Sequence, residues 1–265
     1  MRDGGSIDEQ VEVAAALVGR SGRIVVLTGA GISTDSGIPD FRGPNGLWTK
    51  DPMAEKASTL QHYVGDPAVR RASWRARLSS PAWTAVPNDG HRALVSLEEQ
   101  DRLHTLVTQN IDELHQAAGS DPGKVVQVHG TIRRWACLGC GASGPMAEAL
   151  DRVRAGEDDP TCTAHVDGRV CGGIIKSATI SFGQSLVEAD LGRAMAAARH
   201  CDLLLAVGTT LGVYPVAQMV PIAHQHGAAL VIVNAEPTPF DAIADAVVRT
   251  PISEALPAIV AFAGH

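Results

Sequence analysis

Short, largely apolar runs rich in β-branched residues recur along the chain, and each ends in polar residues. They are Ile24–Leu27, Leu103–Val107, Val125–Val128, Leu203–Val207, Leu230–Val233 and Ala246–Val248. Runs of this kind, bounded by turn residues, suit strands buried on both faces of a parallel sheet. Between them lie stretches with helical spacing. Val11, Val13, Ala14, Leu17 and Val18 give residues 7–19 one apolar face. Residues 91–100, 216–225 (with Pro221 as a kink) and 254–263 predict further helices. Strands alternating with helices, each strand tip polar, predict an α/β protein built on a doubly wound parallel sheet.

Two stretches break the alternation. Residues 49–90 are polar and irregular, with Trp74, Trp83, four prolines (Pro52, Pro67, Pro81 and Pro87) and an arginine-rich segment from Arg70 to Arg77. They read as short helices in an insert. Residues 137–171 hold four of the five cysteines, and Ile174–Phe182 then reads as a return toward the sheet.

Composition narrows the class. The chain has 265 residues, 45% of them hydrophobic, enough for one large core with a small satellite. A net charge of −7 argues against a broad nucleic-acid surface, though not against a basic peptide as substrate. Met1–Gln10 is polar and acidic, unlike a signal peptide, and no apolar run reaches membrane-spanning length. An odd number of cysteines without a secretory signal predicts no disulfides. A cytoplasmic protein without membrane attachment is expected.

Candidate chemistry gathers at the strand tips. After Leu27 come Gly29-Ala30-Gly31, and Ser33, Thr34, Asp35 and Ser36 can cap and open a helix. A strand, a glycine turn and a helix N-terminus suit a dinucleotide pyrophosphate, because glycine lets the backbone approach and free amides meet the charge. The next glycine is Gly37, so the spacing is not the strict dehydrogenase fingerprint, and a plain turn is the competing reading. Ile38-Pro39-Asp40-Phe41-Arg42-Gly43 sets an acid, an aromatic ring and a base between helix-breaking positions, as a cover over a ligand would. Other tips supply Gln109, Asn110 and Asp112, then Gly208, Thr209 and Thr210, then Asn234 and Glu236. His129, just after a strand, is the side chain among them suited to moving a proton near neutral pH.

Cys137 and Cys140 form a C-x2-C pair; Cys162 and Cys171 follow, with eight residues between them. Four thiolates suit a zinc ribbon, and a closed four-sulfur shell leaves no place for water, so the metal is read as structural. His165 is a rival ligand within the long second spacing, and free buried thiols are the alternative reading. Cys201 is expected in the core.

The stretch from Gly29 to Trp48, GAGIS-x-x-SGIPDFRG-x-x-GLW, resembles the signature of the sirtuins, the NAD-dependent protein-lysine deacylases. TQNID-x-LH, VHGT, GTT-x-x-VYP and VNAEPTP resemble the later sirtuin blocks in family order, so the likeness covers nearly the whole chain. The strand and insert pattern divides the chain by insertion, with the sheet built from 8–35, 91–130 and 174–265 and modules at 36–90 and 131–173; the resemblance makes these a Rossmann-like NAD-binding domain, a cofactor loop with a helical insert, and a zinc-binding module.

It implies that Gly29, Ala30 and Gly31 hold the pyrophosphate. Ser33, Phe41, Arg42, Gln109, Asn110 and Asp112 surround the nicotinamide and its ribose, with Asp40 and Ile111 beside them. Gly208, Thr209 and Thr210 meet the adenosine side, as do Asn234 and Glu236, and Ile252 is a last contact. His129 is the general base, helped by Asn110 and Asp112. Ile180, Phe182, Gly183 and Val213 receive an acyl-lysine peptide, with strand-like pairing from both sides. The implied zinc is structural, on Cys137, Cys140, Cys162 and Cys171.

The implied reaction consumes NAD. An acyl group passes from lysine to the ribose, releasing nicotinamide and O-acyl-ADP-ribose. Protein mono-ADP-ribosyl transfer, a non-catalytic NAD or zinc-ribbon module and a dehydrogenase with a structural zinc are the competing readings. The chain departs from the commoner family pattern at Gln184, usually Glu, and at Glu113, usually Gly. Sirtuins that favour acidic acyl groups carry Tyr-x-x-Arg in the insert; here Trp74-Arg-Ala-Arg77 lacks the tyrosine, so succinyl or malonyl preference lacks that support, and Arg77 leaves it open.

Overall fold

The computed structural model describes residues 7–41, 43, 46–50 and 52–262. Six parallel strands form the main sheet: β1 (Ile24–Thr28), β2 (Leu103–Thr108), β3 (Val125–Gln127), β9 (Leu203–Val207), β10 (Ala229–Val233) and β11 (Ala246–Val248). Their order is β11-β10-β9-β1-β2-β3. Every residue of β1 and β9 is buried, as expected of strands covered on both faces. One face packs against α1 (Ile7–Gly19), α6 (Asp89–Glu99) and α11 (Ile252–Phe262); the other packs against α9 (Glu188–His200) and α10 (Met219–Gln225). The chain runs outward from β1 through β2 to β3, then returns to β9 and runs the other way. The switch point therefore lies between β1 and β9, where open α/β sheets form a crevice beyond their carboxyl ends.

Backbone interlock builds that crevice. Gly29 N–H donates to Val207 O at 3.0 Å, and Gly31 N–H to Gly208 O at 2.9 Å. A Cβ on Gly31 would sit 2.8 Å from Gly208 Cα, and one on Gly29 would sit 2.7 Å from Gly208 O. Only glycine lets the two turns come this close. The helix expected to be opened by Ser33–Ser36 instead begins earlier, as a 3₁₀ helix over Ala30–Ser36 with Gly29 as its cap and no side-chain cap. The pairing with Gly208 turns the chain before Ser33 is reached.

Other boundaries also moved. Helix α6 starts two residues before His91 because Asn88 caps it, its Oδ1 accepting from Gly90 N at 3.0 Å. Pro221 falls in the first turn of α10, where its missing N–H costs no intrahelical bond; the break lies ahead of it, at a turn over Val216–Gln218.

Two smaller parts lie over the carboxyl edge. The helical insert comprises α2 (Leu47–Lys50), α3 (Pro52–Ala57), α4 (Leu60–Gly65) and α5 (Pro67–Leu78), followed by a turn at Pro81–Trp83. The cysteine region contains β4 (Gly130–Cys137), β5 (Ser143–Pro145), α8 (Met146–Arg154), the hairpin strands β6 (His165–Val166) and β7 (Arg169–Val170), and β8 (Ile175–Thr179), while α7 (Leu114–Ala118) belongs to the main sheet's flank. The β8 segment, expected to return toward the large sheet, pairs antiparallel with β4 instead. Its Ile175 is buried beside Cys137, Cys162, Met146 and Trp74, so burial holds it in the small layer. Trp74 of α5 belongs to this cluster, so insert and cysteine region share apolar packing. Arg70 reinforces the join, donating from Nε to Asp159 at 2.8 Å and from Nη1 to the Tyr63 and Val64 carbonyls at 3.2 and 2.9 Å. No helix among the described residues is long and apolar enough to cross a membrane.

Candidate active site

A cavity of about 1450 Å³ lies between the carboxyl edge of the large sheet and the smaller parts. It exceeds the roughly 300–1,000 Å³ of a single small-ligand pocket, which leaves room for a dinucleotide and a second molecule. The sheet side brings Gly29, Ala30, Gly31, Gln109, Asn110, Ile111, His129, Gly208, Thr209, Thr210, Asn234, Glu236 and Ile252 to its wall. Asp40 and Phe41 line it from the cover loop, and Ile180, Phe182, Gly183 and Val213 from the far side. Arg42 lies outside the described residues. Ser33 and Asp112 are buried behind the wall rather than part of it. There Asn110 Nδ2 donates to Ser33 Oγ at 3.2 Å, and Ser33 Oγ donates to Asp112 Oδ2 at 2.8 Å. The other Asp112 oxygen accepts from Leu114 N at 2.9 Å.

His129 is held in one tautomer. Its Nδ1 lies 3.0 Å from Gln109 O, and a carbonyl can only accept, so Nδ1 carries the proton and Nε2 keeps a lone pair. Burial pushes its pKa below the ordinary 6.5, and the Gln109 carbonyl works the other way with smaller effect. The imidazole is therefore neutral at pH 7, as a general base must be. Gln109 Nε2 donates to Thr209 Oγ1 at 2.9 Å, tying the β2 tip to the β9 tip. Asn234 Nδ2 donates to Glu236 O at 2.7 Å, and Arg249 Nη1 donates to both their carbonyls at 2.6 and 2.8 Å.

Two groupings were not visible in the sequence, although Trp48 ends the signature stretch and Arg77 lies in the arginine-rich segment. Trp48 links the cover loop to the far wall: its ring centroid lies 5.0 Å from that of Phe41 and 5.4 Å from that of Phe182. The cavity's inner end carries Tyr63, Arg77 and Lys176, from three separate elements. On the far wall, some strand-like pairing is already used internally. Phe182 N donates to Ser58 O at 2.9 Å, and Leu60 N to Phe182 O at 3.0 Å. Gln184 Oε1 accepts from Ser181 N at 3.2 Å, steadying the same segment.

The four sulfurs of Cys137, Cys140, Cys162 and Cys171 all lie within 4.8 Å of one another. Cys137 and Cys171 are 3.8 Å apart, Cys140 and Cys162 3.6 Å. Zn–S bonds of about 2.3 Å in a tetrahedron give edges of about 3.8 Å, so the donor set fits zinc. Burial works against the Cys137 thiolate, but the Cys140 and Gly139 amides and neighbouring thiols outweigh it and bring its pKa down from 9.0 to about 7. His165 lies on exposed β6, outside this group. The β6–β7 hairpin explains the long spacing: Cys171 N donates to Ala164 O and Gly172 N to Cys162 O, closing its base beside the sulfurs.

Residues 29–215 match the family described as "Sir2 family". A Streptomyces coelicolor protein named NAD-dependent protein deacetylase 2 is 52% identical over 237 residues, 89% of this chain and 96% of that protein. Archaeoglobus fulgidus NAD-dependent protein deacylase 2 is 38% identical over 257 residues, 96% of each chain. A solved Sir2 complex with a deacetylated p53 peptide and 3'-O-acetyl ADP ribose superposes with TM-score 0.83 at 32% identity, covering 96% of this chain and 97% of that one.

Proposed function

The chain belongs to the Sir2 family, and from that premise we propose how its residues divide the work of an NAD-dependent protein deacylase. The activity uses NAD as co-substrate and a structural zinc, and acts on acylated lysine in peptides. NAD supplies the glycosidic bond whose cleavage releases nicotinamide and makes the ribose an acyl acceptor.

The glycine turn at 29–31 admits the pyrophosphate, and Gly208–Thr210, Asn234 and Glu236 receive the adenosine end, with Ile252 beside it. Asn110 meets the nicotinamide amide, and Ser33 with Asp112 fixes its orientation from behind. Asp40, Phe41 and Ile111 wall off water. Ile180, Phe182, Gly183 and Val213 hold the acyl-lysine opposite. His129 takes a proton from a ribose hydroxyl at Nε2. The observation that carries this assignment is the neutral His129, fixed by Gln109, on a wall shared by the glycine turn and the 180–183 segment. Alignment and removal of water then supply most of the rate. We place the enzyme in the cytoplasm, where its unpaired thiols stay reduced.

Incubation with NAD and an acetyl-lysine peptide should yield nicotinamide and O-acetyl-ADP-ribose by mass spectrometry, and His129→Ala should remove both. Labelling of protein from NAD without the peptide would instead support ADP-ribosyl transfer.

A finer reading concerns the acyl chain. Arg77 lies 4.9 Å from the Trp74 ring and 5.5 Å from the Tyr63 ring; its Nη1 is buried without a hydrogen-bond partner. Lys176 is buried beside it, and that burial, with the Arg77 charge, lowers its pKa from 10.5 to about 8. Neither makes an ion pair among the described residues. A buried lysine and a half-buried arginine at the cavity wall favour an acyl group ending in a carboxylate. Arg77→Met should lower the succinyl-to-acetyl ratio of kcat/KM by roughly 10–100-fold, the worth of a hydrogen bond to a charged group. An unchanged ratio would remove this preference.

A further inference from the structure

The stretch carrying His129 and the stretch carrying Asn110 and Asp112 run side by side, tied at successive residues. His129 Nδ1 donates to Gln109 O at 3.0 Å, Ile132 N to Ile111 O at 3.0 Å, and Arg133 Nη2 to Asp112 O at 3.4 Å. The fourth tie joins two side chains: Thr131 Oγ1 donates to Glu113 Oε1 at 2.5 Å. The same hydroxyl oxygen accepts from Arg133 N at 3.0 Å, so its own proton is free to point at the carboxylate. Neither Glu113 nor Thr131 lines the cavity.

Glu113 sits in left-handed backbone, with φ 64° and ψ 22°. Asp101, Asp167 and Leu211 also have positive φ, but short polar side chains visit that region more readily than a glutamate does, and Leu211 is packed in the core. Glycine would adopt it without strain. The bend at residue 113 lets Asp112 turn back to Ser33 while α7 begins at Leu114, whose N–H closes on Asp112 at 2.9 Å. A strained position kept by a long side chain, and braced by that side chain's hydrogen bond to Thr131, points to a use for it.

We propose that Glu113 is a positioning residue. Its carboxylate clasps Thr131 and so fixes the spacing between the Asn110–Asp112 wall and His129. The clasp acts through these groups and touches no substrate. It rests on the assignment of His129 as base and of Asn110 to the nicotinamide wall.

The test compares Glu113→Gly, Glu113→Gln and Thr131→Val with the parent enzyme, whose nicotinamide release with NAD and acyl-lysine peptide is established first. Failure of that first assay would overturn the deacylase reading and, with its base and wall removed, the clasp as well, whereas the variant comparison can overturn the clasp alone. Glu113→Gly relaxes the backbone while removing the carboxylate. Its melting temperature should equal or exceed the parent's, yet kcat should fall about tenfold, as misplacement by a fraction of an ångström would cause. Peptide KM should stay unchanged. Glu113→Gln keeps an oxygen acceptor for Thr131 and should recover most of the loss. Thr131→Val leaves the left-handed position intact and should match Glu113→Gly, with the double variant no worse than either single one. A parent-like kcat in Glu113→Gly, no rescue by Glu113→Gln, or multiplying losses in the double variant would overturn the proposal.

Discussion

The two sides of the cavity are stabilised differently. On the sheet side, β1 and β9 are buried along their whole length, and apolar clusters cover both faces. His129, Gln109 and Asn110 extend from a scaffold that holds itself together. The opposite side rests on a far smaller cluster around Trp74, Met146 and Ile175, supplemented by four sulfurs and the Arg70–Asp159 pair. His129, the proposed base, thus stands on the part with its own core, while Arg77 and Lys176, at the proposed acyl end, stand on the part that four sulfurs and a metal hold together. Loss of His129 should therefore leave local folding intact, whereas loss of the metal should unravel the small layer first and disturb His129 only through β4.

Stripping the metal should have the largest effect, since structural zinc contributes roughly 10 kcal/mol or more of apparent free energy in small modules. With a chelator, or in Cys140→Ser, amides of β4, β5 and β8 should lose protection from hydrogen exchange while those of β1, β9 and β10 keep it. Equal loss on both sides would erase the distinction. His129→Ala should do the reverse. Turnover should drop about 10²–10⁴-fold, with NAD still bound and the melting temperature unmoved. In the parent, kcat/KM should decline on the acid side, below a His129 pKa that burial places under 6.5, because only the neutral ring can accept the proton.

Acid should then weaken the sheet side in a second way. His91, in the first turn of α6, is fully buried, and burial, then the Arg92 charge, lowers its pKa from 6.5 to about 4. Above pH 6.5 the folded and unfolded chains both hold it neutral. As pH falls from 6.5 toward 4, only the unfolded chain takes the proton, so stability declines, by roughly 3 kcal/mol in all, and levels off below that. His91→Gln should flatten this part of a denaturation series. The smallest expected effect is Asp159→Ala, at about 1–2 kcal/mol for a partly buried charged hydrogen bond, read as a lower melting temperature with kcat/KM for acetyl peptide changed less than threefold.

The same contrast governs what could be read from the chain. The six main strands were legible because buried runs with polar ends announce themselves locally, and Leu203–Val207 and Ala246–Val248 fall where expected. The C-x2-C half of the sulfur quartet was legible from its spacing; the stretched second pair left His165 as a rival, which the grouping of the four sulfurs removes. What was hidden depends on partners distant in sequence. Ala30 opens its helix because Gly208 crowds Gly31, and β8 joins the small sheet because Ile175 finds a core there. Ser33 and Asp112 carry family signatures, but only folding reveals that they stand behind Asn110 rather than at the wall. Tyr63 and Lys176 reach Arg77 from α4 and β8, and no window of sequence holds all three.

The β6–β7 hairpin has a practical consequence. All four of its strand residues face solvent, and its base is closed by backbone bonds next to the sulfurs. The tip at Asp167–Gly168 is thus a natural graft point: a fluorophore, an affinity tag or extra residues placed there would ride outside the molecule, leaving both the metal and the catalytic crevice as they are.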